Sequence, residues 1–170
     1  RYDIARAELL EAAGRTAESQ ALLAEIESDD DPSRVLATAD RYQSTGRYGP
    51  MVPMLERAIA TFGVNDSDSP TKVDLLFALG MAHERLGQLE QSETAFRGVL
   101  ELNPDDSRTL NYLGYTWTEQ GTNLEEALVL IERAVALEPR NGAYLDSLGW
   151  AYYQLARYEE ARHPLETAAV

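Results

Sequence analysis

Apolar residues recur along this chain with the spacing of a helical face, and the whole pattern repeats. In three segments they fall at positions i, i+3, i+4 and i+7, which lie on one side of an α-helix. The three segments are Leu76, Leu79, Gly80 and His83, then Leu110, Leu113, Gly114 and Trp117, then Leu145, Leu148, Gly149 and Tyr152. The pair Leu-Gly thus recurs at separations of 34 and 35 residues. A period of this size predicts a stack of helix pairs.

Small residues follow the same period. A glycine inside a helix costs about 1 kcal/mol relative to alanine, so the glycines of the three Leu-Gly pairs indicate that a second helix approaches closely there. Seven residues after them stand Gly87, Gly121 and Ala156. The two glycines suit the left-handed residue that ends a helix. Pro104 and Pro139 close two of the repeated units.

Helix boundaries can be assigned from this pattern. Ser69 before Pro70 predicts an N-cap and a first helical turn, and Asp31-Pro32 is a similar start. Pro53 and Pro164 lie inside helical patterns and predict a local kink or a late start. Ten helices and no strands are expected, at residues 2–12, 16–28, 32–45, 49–62, 70–86, 89–102, 105–120, 123–137, 142–155 and 158–169.

The combined motif resembles the tetratricopeptide repeat. It consists of Leu-Gly, a following aromatic residue or histidine, a glycine at the turn, small residues in the second helix and a closing proline. The segment from Leu110 to Ala161 is also similar to bacterial repeat proteins. The resemblance implies an all-α fold, an α-solenoid wound as a right-handed superhelix, with about five helix-turn-helix units in a single domain over residues 1–170. The approximate units are 1–31, 32–66 with a loop at 63–72, 73–106, 107–141 and a truncated 142–170.

Composition narrows the classes of partner. The chain has 170 residues, of which 44% are apolar, and a formal charge of −14. This balance argues against nucleic acid as a partner, because phosphate contacts need a basic face. No apolar run reaches the length of a membrane span, so membrane insertion is not expected. Cysteine is absent, and the compartment stays open: cytoplasmic, or periplasmic if a targeting segment has been removed.

The sequence offers no constellation of catalytic residues. His83 falls on the apolar face of its helix and is expected to be a packed imidazole with one hydrogen bond, while His163 is expected at the surface. The run Asp66-Ser67-Asp68 resembles the opening of a calcium loop but lacks its glycine and closing glutamate. We therefore expect a non-enzymatic protein without cofactor or metal.

In tetratricopeptide folds the first helices of successive repeats line a concave groove. The resemblance implies that twelve side chains, rotated away from the Leu-Gly face, line it here, and six of them are aromatic or methionine. They are Asp74, Phe77, Met81, Glu84, Arg108, Asn111, Tyr112, Tyr115, Thr118, Asp146, Trp150 and Tyr153. Large apolar side chains on a face that the core does not use favour partner binding. The alternative is that Tyr112, Tyr115 and Trp150 pack against neighbouring helices.

Two functions are consistent with these features. The first is a scaffold that binds an extended peptide or partner protein in the groove, preferably through a neutral or basic segment. The second is self-association through the ends of the solenoid, which could form a homo-oligomer because Leu165 and Ala168 on the last helix are expected to be partly exposed. A hydrolase is disfavoured, since no nucleophile with a paired base can be named.

Overall fold

A computed structural model describes residues 2–62 and 69–168, with side chains from residue 4 onward. Within these ranges the chain forms ten α-helices and no strand. Their bounds are α1 Tyr2–Ala12, α2 Thr16–Glu27, α3 Pro32–Ser44, α4 Tyr48–Ala60, α5 Pro70–Arg85, α6 Leu89–Leu102, α7 Ser107–Gln120, α8 Leu124–Leu137, α9 Gly142–Gln154 and α10 Tyr158–Ala168. The run Asp66-Ser67-Asp68, most of the predicted 63–72 loop and Val170 lie outside the described residues.

The order and bounds of the helices agree closely with the sequence-based expectation, which confirms the all-α, helix-pair fold. The two internal prolines do not delay a helix start. Helix α4 runs from Tyr48 through Pro53, and α10 runs from Tyr158 through Pro164. No helix in the part of the chain that the structure describes is long and apolar enough to cross a membrane.

Side chains at the helix starts determine where several helices begin. The Asp31 carboxylate accepts a hydrogen bond from the Arg34 amide at 3.0 Å, and the Asp106 carboxylate accepts one from the Thr109 amide at 2.9 Å. Ser69 occupies the predicted N-cap position of α5, but its side chain makes no capping hydrogen bond. The start of α5 therefore depends on the proline that follows Ser69 rather than on a side-chain cap.

The turns between paired helices adopt the predicted left-handed geometry. Gly87 has φ = 74° and Gly121 has φ = 65°. Ala156 occupies the corresponding position before α10 with φ = 57°. The backbone amide after Ala156 still donates to the Tyr152 carbonyl at 2.9 Å, as in a regular helix end. The third turn thus keeps its shape with a residue that has a steric cost there.

The glycines of the Leu-Gly pairs lie where the two helices of a pair meet, as predicted. A Cβ atom on any of them would come closer to the facing helix than van der Waals contact allows. The added Cβ would lie 2.7 Å from Phe96 Cε1 at Gly80, 2.7 Å from Ile131 Cγ1 at Gly114 and 2.4 Å from Leu165 Cγ at Gly149. The glycines therefore permit helix pairs to pack more closely than an alanine would allow.

The first helix pair uses an alanine at this position. Ser19 Oγ on α2 donates to the Ala7 carbonyl at 2.8 Å, and Ser92 Oγ on α6 donates to the Gly80 carbonyl at the same distance. Ser19, Ser92 and Ala7 are buried. The matching hydrogen bonds identify Ala7 as the counterpart of Gly80, although the first unit has no Leu-Gly pair.

The chain divides into two compact units, residues 1–98 and 99–170. In the first unit, α1 packs on α2, α3 on α4, and α5 on both α3 and α4. Its buried core combines apolar residues from five helices, α1 and α3 to α6, including the fully buried ring of Tyr42. The buried core residues are Ile4, Val35, Ala39, Tyr42, Met51, Met54, Leu55, Ala58, Leu75, Leu79, Ala82 and Ala95.

In the second unit, α7 packs on α8, α9 on α10, and the two first helices α7 and α9 contact each other. Its core includes two clusters: one contains Leu110, Ala134 and Tyr144, and the other contains Leu128, Ile131, Leu148 and Ala151. Because α7 and α9 are neighbours, side chains on their outward faces share one surface. This surface contains seven of the predicted binding residues.

Candidate partner-binding surface

The outward faces of α7 and α9 form what we call the first-helix face, made up of Arg108, Asn111, Tyr112, Tyr115, Asp146, Trp150 and Tyr153. Arg108, Tyr115, Asp146 and Tyr153 are exposed, while Asn111, Tyr112 and Trp150 are half-buried. The prediction that Thr118 lines this face is wrong. Thr118 is fully buried, and its hydroxyl donates to the Gly114 carbonyl at 2.8 Å, so it lies on the packed side of α7.

Tyr115 lies at the centre of a small acidic environment. It is 40% exposed, and Glu119 lies one turn further along α7, near enough to its hydroxyl to affect it electrostatically. Asp146, on α9, adds a second negative charge nearby. Burial of the hydroxyl, followed by the charges of Glu119 and Asp146, raises the pKa of Tyr115 above its usual value. An aromatic ring and two carboxylates are therefore presented together.

Aromatic rings continue from this point to the start of α10. The Trp150 and Tyr153 rings are stacked, with centroids 5.4 Å apart and an interplanar angle of 9°. The Tyr158 ring follows at 5.4 Å from Tyr153, tilted by 60°. Tyr153 is 51% exposed and Tyr158 is 61% exposed. Together with Tyr115, these rings give the second unit a large exposed aromatic surface.

Sequence analysis missed Tyr158 because it lies on a second helix. The left-handed turn at Ala156 brings the start of α10 back over the end of α9, which places the Tyr158 ring against Tyr153. The available signal was the spacing: Tyr153 and Tyr158 flank a turn position that is glycine in the two preceding repeats.

The polar groups on the same face are either held by an ion pair or buried without a hydrogen-bond partner among the described residues. Arg108 forms an ion pair with the N-cap carboxylate of Asp106 at 3.2 Å, so its guanidinium is held at the start of α7. Two buried polar atoms on the face, Asn111 Oδ1 and Trp150 Nε1, have no hydrogen-bond partner among the described residues. Both atoms are shielded from solvent, so they are not part of the exposed surface of this face.

In the first unit, the predicted residues lie on α5. Asp74, Phe77 and Met81 are all half-buried. The Phe77 ring packs against Phe96 with centroids 5.6 Å apart and an angle of 57°. Part of the Phe77 surface is therefore used in packing α5 against α6.

The two histidines are placed as expected. His83 is buried, and its Nδ1 lies 2.6 Å from Gln88 Oε1, which gives the imidazole its single side-chain partner. His163 is exposed on α10. Across residues 2–62 and 69–168, no group of three or more acidic, histidine or cysteine side chains is arranged to hold a metal ion.

Family models and a related protein both match this chain as a tetratricopeptide repeat protein. Tetratricopeptide repeat family models match residues 73–106 and 142–169. A TPR repeat-containing protein of Pseudomonas aeruginosa is 36% identical over 99 residues, 58% of this chain and 17% of that protein. A kinesin light chain-related protein of Arabidopsis thaliana is 25% identical over 166 residues, 88% of this chain and 27% of that protein. The chain thus spans well under a third of either relative.

The fold has a solved counterpart. The crystal structure of MamA superposes with a TM-score of 0.72 at 16% identity, covering 96% of this chain and 92% of MamA. At this identity the likeness concerns the fold alone, which is an all-α solenoid of repeats. Such repeats serve as protein-protein interaction scaffolds and are typically non-catalytic.

Proposed function

We propose that this tetratricopeptide repeat protein is a non-enzymatic scaffold that binds an extended peptide or partner segment along its first-helix face. The observation that carries the proposal is the aromatic surface made by the exposed rings of Tyr115 and Tyr153, with half-buried Trp150 stacked on Tyr153. Asp74, Phe77 and Met81 on α5 are proposed as the binding positions of the first unit.

Aromatic side chains are suited to this role because they bury a large area with few rotatable bonds. They are enriched among the residues that dominate interface energies. An extended segment laid along this face would cover the exposed rings of Tyr115 and Tyr153.

The charge of the face indicates the kind of segment. Asp146 and Glu119 are exposed carboxylates beside the aromatic rings, and the whole chain carries a charge of −14. An acidic segment would be repelled, whereas a neutral or basic one would be attracted and would lose affinity as salt increases. We therefore propose a neutral or basic partner segment.

Peptide selection tests the proposal. A phage library of random peptides is selected on the chain, and the bound peptides are synthesised with a fluorescent label and titrated by fluorescence anisotropy, which does not depend on Trp150. We expect apolar peptides with neutral or basic charge, with affinities in the micromolar range of about 10⁻⁶ M. The double variant Tyr115→Ala with Trp150→Ala should weaken binding at least about tenfold.

Val129→Ala provides the matched control, because Val129 is 55% exposed on the second helix α8. This substitution removes exposed apolar surface away from the first-helix face and should leave affinity unchanged. Equal peptide affinities of the double variant and the native chain would refute binding at the first-helix face.

Self-association is a second candidate, favoured by apolar side chains exposed on α1 and α10. Leu9 is 71% exposed and Leu165 is 39% exposed. Light scattering over a hundredfold range of concentration tests it. A dimer abolished by Leu165→Asp or Leu9→Asp supports assembly, and a monomer at every concentration rejects it.

A further inference from the structure

We propose that the surface around Tyr115 binds the guanidinium group of an arginine in the partner segment. This rests on the proposed function and specifies the chemistry of one position within it. The guanidinium would lie on the exposed ring of Tyr115 and pair with the carboxylates of Glu119 and Asp146.

The chain already binds two of its own arginines in this way. The guanidinium of Arg47 lies 4.7 Å from the centre of the Tyr42 ring, and that tyrosine donates a 2.7 Å hydrogen bond to Glu27. Arg47 and Glu27 are themselves 4.0 Å apart. The arginine is thus held both by the face of the tyrosine ring and by the glutamate that accepts the tyrosine hydrogen bond.

The second example lies in the other unit. The guanidinium of Arg157 lies 4.8 Å from the centre of the Tyr152 ring. The Tyr152 hydroxyl donates to Glu132 at 2.8 Å, and Arg157 pairs with Glu160. Here too the cation is held by an aromatic face and a carboxylate at the same time.

Tyr115 repeats the tyrosine and carboxylate parts of this arrangement. Glu119 lies one turn after it on the same helix, Asp146 lies on the neighbouring helix α9, and all three side chains are exposed. Both carboxylates are near enough to the Tyr115 hydroxyl to affect it electrostatically. Within residues 2–62 and 69–168, no arginine of the chain lies over the Tyr115 ring, and neither Glu119 nor Asp146 forms an ion pair. Because the ring is 40% exposed, an arginine from another chain can reach it.

Guanidinium fits this position better than ammonium. It is planar, so it can lie flat on an aromatic ring while its edge donates to carboxylates. Trp150, one turn after Asp146 on α9, extends the aromatic surface beside it. A lysine would keep the charge but lose the stacking and the forked hydrogen bonds.

The first test uses small probes that need no identified partner. N-acetyl-arginine amide and N-acetyl-citrulline amide have the same shape, but only the first is charged. We expect arginine amide to shift the Tyr115 ring resonances saturably in the millimolar range, and citrulline amide to leave them unchanged. Equal shifts from both probes, or no saturable shift from arginine amide, would overturn the inference.

The second test uses a selected peptide and three charge variants. Replacing its arginine by citrulline should weaken binding at least about tenfold, and replacing it by lysine should weaken it less. Asp146→Asn and Glu119→Gln should each remove most of the difference between the arginine and citrulline peptides. Glu126→Gln removes an exposed carboxylate on α8 and is the control for the change in net charge. It should leave the difference between the arginine and citrulline peptides unchanged.

The outcomes separate this inference from the proposed function. If Trp150→Ala weakens binding while citrulline and Asp146→Asn have no effect, the arginine position is wrong and the binding face stands. If arginine amide binds at Tyr115 but no peptide is sensitive to Trp150→Ala, the arginine position stands and the extended face is wrong.

Discussion

Gly114 and the backbone of Ala127 limit how closely α7 and α8 pack. A Cβ atom on Gly114 would lie 2.8 Å from the Ala127 carbonyl oxygen and 2.7 Å from Ile131 Cγ1. A carbonyl oxygen in a helix can move only if the helix moves with it. The absence of a side chain at Gly114 is therefore a requirement of this helix pair.

Gly114→Ala should destabilise the protein by about 1–3 kcal/mol, because overpacking at the helix interface exceeds the gain in helix propensity. Gly149→Ala is the comparison. A Cβ atom there would lie closest to the side chain of Leu165, which is 39% exposed, while the nearest backbone atom, the Ala161 carbonyl oxygen, would be 3.3 Å away. We expect a smaller loss in free energy of unfolding for Gly149→Ala, measured by urea denaturation. Equal losses would contradict the distinction between backbone and side-chain contacts.

Ala156→Gly should stabilise the protein by about 1 kcal/mol. Ala156 adopts φ = 57°, a left-handed conformation in which a Cβ atom is unfavourable. The reverse change at the equivalent turn, Gly121→Ala, should destabilise by a similar amount, since Gly121 has φ = 65° and nothing within 4 Å of an added Cβ. Urea denaturation of both variants checks the pair. A destabilised Ala156→Gly variant would refute the prediction.

Asp106→Ala should reduce the free energy of unfolding by about 1–2 kcal/mol, because the buried Asp106 carboxylate caps α7 through the Thr109 amide. Ser69 is the matched control. It holds the same position before α5 without a side-chain hydrogen bond, so Ser69→Ala should have little effect. Thermal unfolding of the two variants measures the difference. The prediction fails if both lose the same stability.

The pH dependence of stability should reveal Tyr42. Burial, and then the hydrogen bond to Glu27, raise the pKa of Tyr42 above its usual value. The native chain therefore keeps this proton where the unfolded chain loses it. The contribution is complete below about pH 10, the pKa of an unfolded tyrosine, and is lost as pH rises further.

Tyr42→Phe tests this. The variant should lose about 1 kcal/mol at neutral pH with the Glu27 hydrogen bond, and its free energy of unfolding should fall less steeply than that of the native chain between pH 9 and 11. Tyr115 and Tyr152, whose pKa values are also raised, remain in both proteins and cancel in the comparison. If the free energies of unfolding of the two proteins fall in parallel with pH, the pKa of Tyr42 is not raised in the native state.

The extent of sequence-based prediction differed between features. Helix positions were predicted closely because apolar periodicity, caps and turn glycines act over one or two turns. The equivalence of Ala7 and Gly80 was missed, because it is defined by matching hydrogen bonds from Ser19 and Ser92. Thr118 was misplaced because it lies one turn after Gly114, on the side of α7 that packs against α8, and not on the outward face.

The candidate site shows the same division. Sequence alone determined the repeat and the helix pairs, since these follow from local spacing, but it left open whether Tyr112, Tyr115 and Trp150 are exposed or packed. Only the tertiary structure brought Asp146 to Tyr115 and Tyr158 to Tyr153. Each of these pairs joins two helices, so their proximity depends on packing between helices rather than on spacing along one.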